Sequence, residues 1–183
     1  DPTNNSSGNT GTRVASINVE VGEAVTCTFT NTKRAHIIVI KNAITNDAQN
    51  FTFQNNFGNG NPTTFQLDDD GNIANTLPKQ RDFEVTPGSG YAVSEDAVTG
   101  WKQGSQTCDG NGNTPGAITV GHGETVTCTF VNNKLGQIIL IKNTVGGDGI
   151  FDFVMTGITL PASAQLTTFN GTAQQTFHNI DPD

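Results

Sequence analysis

Three segments of the chain alternate between apolar and polar positions with a period of two, which predicts β-strands with one buried face. The predicted buried faces are Val126, Cys128, Phe130 and Asn132 in residues 125–132, Tyr91, Val93 and Glu95 in residues 91–95, and Ile37, Val39 and Lys41 in residues 37–41. Each face ends on a polar side chain, namely an amide, a carboxyl and an amine. Because burying a lone charge is costly unless it is paired, we expect these three groups to converge in one core.

The chain also repeats itself. Residues 22–41 (GEAVTCTFTNTKRAHIIVIK) and 123–142 (GETVTCTFVNNKLGQIILIK) are identical at 13 of 20 positions without a gap, at an offset of 101. A period near 100 residues is the size of one small β-sandwich domain and too long for a solenoid repeat.

The register of the repeat divides the chain into one complete unit and two partial ones. Residues 1–33 are predicted to be the closing part of a preceding sandwich, 34–133 a complete sandwich, and 134–183 the opening part of a following one. The last part repeats IIVIKN as IILIKN and FTF as FDF, and TFHN (176–179) is the expected counterpart of DFEV. The fold class is therefore all-β, a tandem of Ig-like sandwiches.

Two interpretations of this register stay open. In the first, residues 1–33 of one copy complete residues 136–183 of the next, and such head-to-tail contacts build filaments because they do not close on themselves. In the second, the sequence is a fragment of a tandem array. Both imply a repetitive surface protein.

Composition restricts the function classes. The chain is 33% hydrophobic and 14% charged, with a net charge of −8. No basic stripe is present to neutralise phosphates, which argues against nucleic-acid binding. No apolar run approaches the ~20 residues needed to span a membrane. The polarity, acidity and strand-forming composition favour an extracellular or cell-surface protein, and no enzymatic motif such as a nucleophile elbow or phosphate loop stands out.

At the three polar residues the sequence resembles the prealbumin-like, CnaB/SpaA-type repeats of bacterial surface adhesins and pilins. In that family a lysine on the first strand bonds an asparagine or aspartate on the last strand, and a glutamate on a middle strand assists. The resemblance rests on Tyr91-Ala92-Val93-Ser94-Glu95 followed by Gly100-Trp101, and it departs from the family at Asp96-Ala97-Val98.

The resemblance implies an autocatalytic isopeptide bond between Lys41 and Asn132, assisted by Glu95. Solvated strand ends at these positions are the alternative. Lys142 and Asn31 occupy the same positions in the flanking parts and are candidates for a bond between neighbouring chains, although the chain supplies no further glutamate for that bond.

Three cysteines leave one without an intrachain partner. Cys108 and Cys128 belong to one unit on strands expected to be adjacent, so we expect a disulfide, with a thiol Cys128 as the alternative. Cys27 is the repeat counterpart of Cys128, and its own partner is expected just before Asp1 or in another chain.

Two further features are weaker. The turn Leu67-Asp68-Asp69-Asp70-Gly71-Asn72 is rich in oxygen ligands and is a candidate Ca²⁺ site through Asp68, Asp69 and Asp70, or else a solvated turn. Asn5, Asn50 and Asn170 stand in N-x-S/T sequons and are candidate glycosylation sites. Apart from this Ca²⁺, no cofactor is expected.

These features predict a structural subunit of a bacterial extracellular fibre or surface stalk, whose partners are other copies of itself. The alternative is an adhesin-type repeat that binds a glycan or protein ligand through its loops. Filaments formed without a ligand would separate the first function from the second.

Overall fold

The computed structural model describes residues 4–71, 77–110, 112–157 and 159–182. Every regular element in those ranges is a β-strand, which confirms the predicted all-β class. The described residues hold no helix that is long and apolar enough to cross a bilayer. The chain separates into two compact units, residues 1–32 and 33–183.

The strands fall into three groups along the chain. The first group is β1 (Ser7–Asn9) and β2 (Val14–Ser16). The second is β3 (Ala35–Ile44), β4 (Phe51–Asn55), β5 (Thr64–Leu67), β6 (Gln80–Val85), β7 (Gly88–Tyr91), β8 (Val93–Glu95), β9 (Trp101–Cys108), β10 (Ile118–Val120) and β11 (Thr125–Lys134). The third is β12 (Gly136–Asn143), β13 (Ile150–Val154), β14 (Ser163–Thr167) and β15 (Thr172–Ile180).

Strands β3 to β11 form a sandwich around one hydrophobic core. One sheet has the order β6-β3-β11-β9, the other has the order β5-β4-β8, and β7 pairs with β10. The sheets meet through aromatic side chains: Phe53 packs edge-on against Phe130 with 5.1 Å between ring centroids, and Phe65 packs against Phe83 at 4.8 Å. These contacts join β4 to β11 and β5 to β6, so they hold the two layers together.

The first and last strands of this sandwich are parallel neighbours. The register places Phe130 beside Lys41 and Asn132 beside Ala43. Alternate residues of both strands face the core, as their sequence periodicity predicts. The two strands that are most distant in sequence are therefore adjacent in space, with their core-facing residues in step.

Strands β12 to β15 repeat the pairing of the first four sandwich strands. β12 pairs with β15 as β3 pairs with β6, and β13 pairs with β14 as β4 pairs with β5. In the complete sandwich, β3 also pairs with β11 and β4 with β8. Within the described residues, the equivalent edges of β12 and β13 have no partner strand. This part of the chain thus presents two open sheet edges.

The N-terminal unit contains the short hairpin β1-β2 and a segment without strands, residues 17–32. Residues 24–32, which repeat most of β11, form no strand in this unit. A strand needs a neighbour to satisfy its backbone groups, and β11 has β3 on one side and β9 on the other. Within this unit, the hairpin and residues 25–31 border a groove of about 700 Å³.

Candidate isopeptide site

The lysine of the site lies inside the sandwich because β3 alternates without interruption. Ile37, Val39 and Lys41 all point to the core, and the side chain of Lys41 is completely buried. Burying an ammonium group in an apolar core costs several kcal/mol unless a partner compensates, so the surroundings of its Nζ decide its chemistry.

Three polar groups converge at one carboxylate oxygen. Lys41 Nζ lies 3.2 Å from Glu95 Oε1, and Asn132 Nδ2 donates a 3.1 Å hydrogen bond to the same oxygen. Lys41 Nζ also donates to the Phe130 carbonyl oxygen at 3.2 Å. The sequence-based prediction that this amine, acid and amide meet in one core agrees with this geometry, and all three side chains are buried.

Burial changes the proton affinities of the lysine and the glutamate in opposite directions. Desolvation lowers the pKa of Lys41, and the nearby carboxylate of Glu95 offsets part of that change. Desolvation raises the pKa of Glu95, and Lys41 offsets part of it. Both shifts favour the pair in its uncharged form, a neutral amine beside a protonated acid.

The uncharged form is the one that can react. A neutral amine is a nucleophile, and a protonated glutamate can donate a hydrogen bond. Glu95 Oε2 and the carbonyl oxygen Asn132 Oδ1 are buried atoms without a hydrogen-bond partner in the described structure. The site therefore holds a potential donor and the acceptor that it would polarise.

A β-bulge positions Asn132. The pairing of β11 with β9 shifts by one residue between Phe130 and Asn132. Gly104 lies at the bulge, in the strand β9 that carries the extra residue. A Cβ atom at Gly104 would lie 3.0 Å from the carbonyl oxygen of Val131. Any larger residue would push the two strands apart next to Asn132.

Sequence reasoning missed two aromatic rings next to the buried lysine, those of Phe51 and Trp101. Lys41 Nζ lies 4.2 Å from the centroid of the Phe51 ring, and Trp101 packs edge-on against that ring at 5.1 Å. The sequence did contain a sign of Phe51, because FTF follows the strand of Lys41 and FDF follows the strand of Lys142 at the same repeat position. The face of Phe51 interacts favourably with the amine, and Trp101 packs behind that ring.

Asp69, one of the predicted calcium ligands, lies at the end of the β3–β6 pairing. Its Oδ2 accepts a 2.9 Å hydrogen bond from the backbone N–H of Ala43, and its Oδ1 pairs with Lys79 at 3.0 Å. Asp68 is buried and Asp70 is half-buried. Among the described residues, no three His, Cys, Asp or Glu side chains form a group that could hold a metal. Asn72 of this turn lies outside the described residues, and calcium binding stays a prediction.

The disulfide has the predicted partners. Cys108 and Cys128 are bonded and lie directly opposite each other on β9 and β11. Cys27 is a free, exposed thiol. The constant offset of 101 places Ser7, and not a residue before Asp1, at the position equivalent to Cys108. A serine there explains why Cys27 has no partner of the kind that Cys128 has.

The remaining candidates belong to other elements of the chain. Lys142 is on β12, and Asn31 is an exposed residue of the N-terminal unit. The sequon residues Asn5, Asn50 and Asn170 are all exposed, as an acceptor of glycans must be, and their glycosylation stays a prediction.

Comparison with known families gives one match. Residues 35–130, just over half of the chain, match the family model SpaA_2, which describes a prealbumin-like fold domain. The matched range contains Lys41 and Glu95 and ends two residues before Asn132. Domains of this type occur in bacterial surface pili. No curated protein matches the chain.

Proposed function

Because the chain belongs to the SpaA-type prealbumin-like fold family, we propose that it is a structural subunit of a bacterial extracellular fibre or surface stalk. Its copies join head to tail. Residues 4–31 of one copy complete the sandwich that β12 to β15 begin in the next copy.

One observation carries this proposal: residues that are buried in the complete sandwich are exposed at their repeat positions on both sides of it. Phe130 is 0% exposed, whereas Phe29 is 70% exposed. Ile37 is 0% exposed, whereas Ile138 is 39% exposed. Exposed apolar surface of this kind is costly in water and marks a surface that another element covers.

The two incomplete parts are complementary in what they lack. β12 has an open edge where β3 has β11, and residues 24–33 are the repeat of β11. Val25, Cys27 and Phe29, which repeat the core face of β11, line the groove of the N-terminal unit. The proposed joint adds this segment to β12 as a parallel strand, which satisfies backbone groups on both chains.

Within each copy, the proposal includes the isopeptide bond between Lys41 and Asn132. The neutral Nζ of Lys41 attacks Cγ of Asn132 and forms a C–N bond, and the C–Nδ2 bond breaks. Glu95 first donates a hydrogen bond to the carbonyl oxygen and then passes the proton from Nζ to the leaving nitrogen, which departs as ammonia. The bond ties the first strand to the last, so tension along the fibre would not separate them. This is a single self-directed reaction without turnover.

Negative-stain electron microscopy and sedimentation of the purified chain test the assembly. The wild-type chain should form filaments without any ligand. Phe29→Asp should abolish them because it places a charge on the face that repeats Phe130. Val21→Asp is the matched control: Val21 is even more exposed than Phe29, but its repeat counterpart, His122, is also exposed in the complete sandwich.

A second pair of variants tests the other end of the chain, where β12 would receive the N-terminal segment of the next copy. Ile138→Asp should block filaments, whereas Val145→Asp should not, because Val145 repeats the exposed Ile44. Mixing Phe29→Asp with Ile138→Asp leaves one intact end on each chain, so the mixture should form dimers that do not extend. A wild-type chain that stays monomeric would refute head-to-tail assembly, and a monodisperse chain that binds a glycan or protein would favour the adhesin function.

A further inference from the structure

An exposed acid follows the buried glutamate directly. Asp96 continues β8, since its backbone N–H donates a 2.9 Å hydrogen bond to the Thr52 carbonyl oxygen of β4. Successive residues of a strand point to opposite faces, so Glu95 is buried in the core and Asp96 is exposed on the outer face of the same sheet. Asp96 is also the first of the residues at which the sequence departs from the SpaA-type pattern.

The carboxylate of Asp96 is held in place but is not neutralised. Gln54 Nε2, on the outer face of β4, donates a 3.0 Å hydrogen bond to Asp96 Oδ2. Among the described residues, no cationic side chain forms an ion pair with Asp96. Lys134, whose amine lies 6.0 Å from the centroid of the Trp101 ring, is paired with Asp47 instead. A fixed negative charge therefore lies behind the strand that carries Glu95.

The order of the two sheets places Glu95 between Asp96 and Lys41. Glu95 and Asp96 belong to the sheet β5-β4-β8, whereas Lys41 reaches the site from β3 in the opposite sheet. The charge of Asp96 thus repels a negative charge on Glu95 from the side away from the amine. Burial raises the pKa of Glu95 and the charge of Asp96 raises it further, whereas Lys41 and Asn132 lower it.

The amine has an acid on its own side of the pair. Asp69 accepts the hydrogen bond of the Ala43 N–H in β3, two residues after Lys41. Desolvation lowers the pKa of Lys41, whereas Glu95 and then Asp69 raise it. Lys79, 3.0 Å from Asp69, offsets part of this second charge. The buried pair therefore has one acid beyond its carboxyl group and another near its amine.

We propose that Asp96 is a positioning residue of the isopeptide reaction: its charge keeps the shared proton on Glu95 and so leaves Lys41 neutral. The inference rests on the proposed bond between Lys41 and Asn132. The shared proton lies on the acid in the neutral pair and on the amine in the ion pair, and only the neutral amine attacks. A negative charge beyond Glu95 disfavours the ion pair. Asp69 acts in the opposite direction, because a negative charge near the amine favours the ion pair.

The rate of bond formation in two variants of nearly unchanged size tests the inference. Full-length chain recovered in denaturant before it folds starts without the bond, and dilution starts the reaction. Intact mass follows the loss of ammonia, and the fluorescence of Trp101, the only tryptophan, reports folding separately. At the pH of the fastest reaction, Asp96→Asn should react about two- to fivefold more slowly than wild type, and Asp69→Asn faster by a similar factor. Each variant removes one negative charge, so opposite effects cannot come from net charge.

Salt and a control variant separate the charge of Asp96 from its hydrogen bond. Mobile ions screen exposed charges, so the difference in rate between wild type and Asp96→Asn should shrink in about 1 M salt. Gln54→Met removes the hydrogen bond to Asp96 and keeps the charge, so it should react at the wild-type rate. In both Asp96→Asn and Asp69→Asn, the acid and base limits of the reaction should move to lower pH, because losing a negative charge weakens proton binding by the pair.

The outcomes distinguish this inference from the proposed function. Equal rates in wild type and Asp96→Asn, or slower reaction in Asp69→Asn as well, would overturn this inference alone. A loss of rate in Gln54→Met as large as that in Asp96→Asn would do the same, because the hydrogen bond and not the charge would then matter. A wild-type chain that folds without losing ammonia would overturn the proposed bond, and this inference with it.

Discussion

Replacing Glu95 by glutamine tests the chemistry of the site most directly. Glutamine is nearly the same size and keeps an oxygen that can accept the 3.1 Å hydrogen bond from Asn132. It cannot protonate the leaving nitrogen or relay the proton of Lys41. We therefore expect Glu95→Gln to fold without forming the isopeptide bond.

The cost in stability follows from the length of the loop that the bond closes. Lys41 and Asn132 are 91 positions apart, and the disulfide between Cys108 and Cys128 shortens the effective loop. The chain-entropy relation then gives about 4.5 kcal/mol for the cross-link. For a domain of this size that corresponds to a fall in Tm of about 20 to 35 °C.

Glu95→Gln also leaves the buried amine of Lys41 without its acidic partner, and the hydrogen bond that this buried group loses adds about 1–3 kcal/mol. Asn132→Ala separates the two effects because it removes the cross-link but keeps the pair of Lys41 and Glu95. The loss of Tm in Asn132→Ala therefore reports mainly the cross-link. The further loss in Glu95→Gln reports the contact between Lys41 and Glu95.

Intact mass and calorimetry are the assays. The wild-type chain should be lighter than its sequence by one ammonia in addition to the disulfide hydrogens, and both variants should show no ammonia deficit. A wild-type mass without the deficit would refute the reasoning. So would a Glu95→Gln chain that retains the deficit, because the glutamate would then not be needed.

Three further predictions concern the same sandwich. The rate of bond formation after refolding should be highest on a broad plateau of pH, because the neutral pair and the ion pair of Lys41 and Glu95 hold the same number of protons. The rate, followed by mass, should fall in acid because the pair gains a second proton, and in base because it loses its only one. Cys108→Ser should lower the free energy of unfolding by about 3 kcal/mol, measured in denaturant, with reduced wild type as the comparison; an unchanged value would contradict the disulfide's role. Asp69→Ala should lower the free energy of unfolding by about 1–3 kcal/mol because the buried N–H of Ala43 loses its acceptor. Asp69→Asn keeps an acceptor and should lower it less. Equal losses in the two variants would show that the charge of Asp69 matters and the hydrogen bond does not.

The sequence alone determined which side chains face the core. Period-two alternation placed Lys41, Glu95 and Asn132 on buried faces, because a strand cannot bring one residue of a face inward without the others. The repeat predicted that the strands after residue 136 would resemble the first strands of the sandwich, and their pairing in the structure has the same order. The resemblance to the SpaA-type family and the partners of the disulfide were also predicted from the sequence and are confirmed.

Only the tertiary structure decided what surrounds those side chains. That Lys41 and Asn132 share one oxygen of Glu95 depends on β3 and β11 being parallel neighbours, and no local pattern encodes a pairing across 91 positions. The carboxylate of Asp69 accepts a hydrogen bond from the backbone N–H of Ala43 in β3, beyond the last residue that β6 pairs, and no sequence pattern indicated that contact. Residues 24–31 have the sequence of a strand but do not form one, because a strand exists only where another strand satisfies its backbone groups.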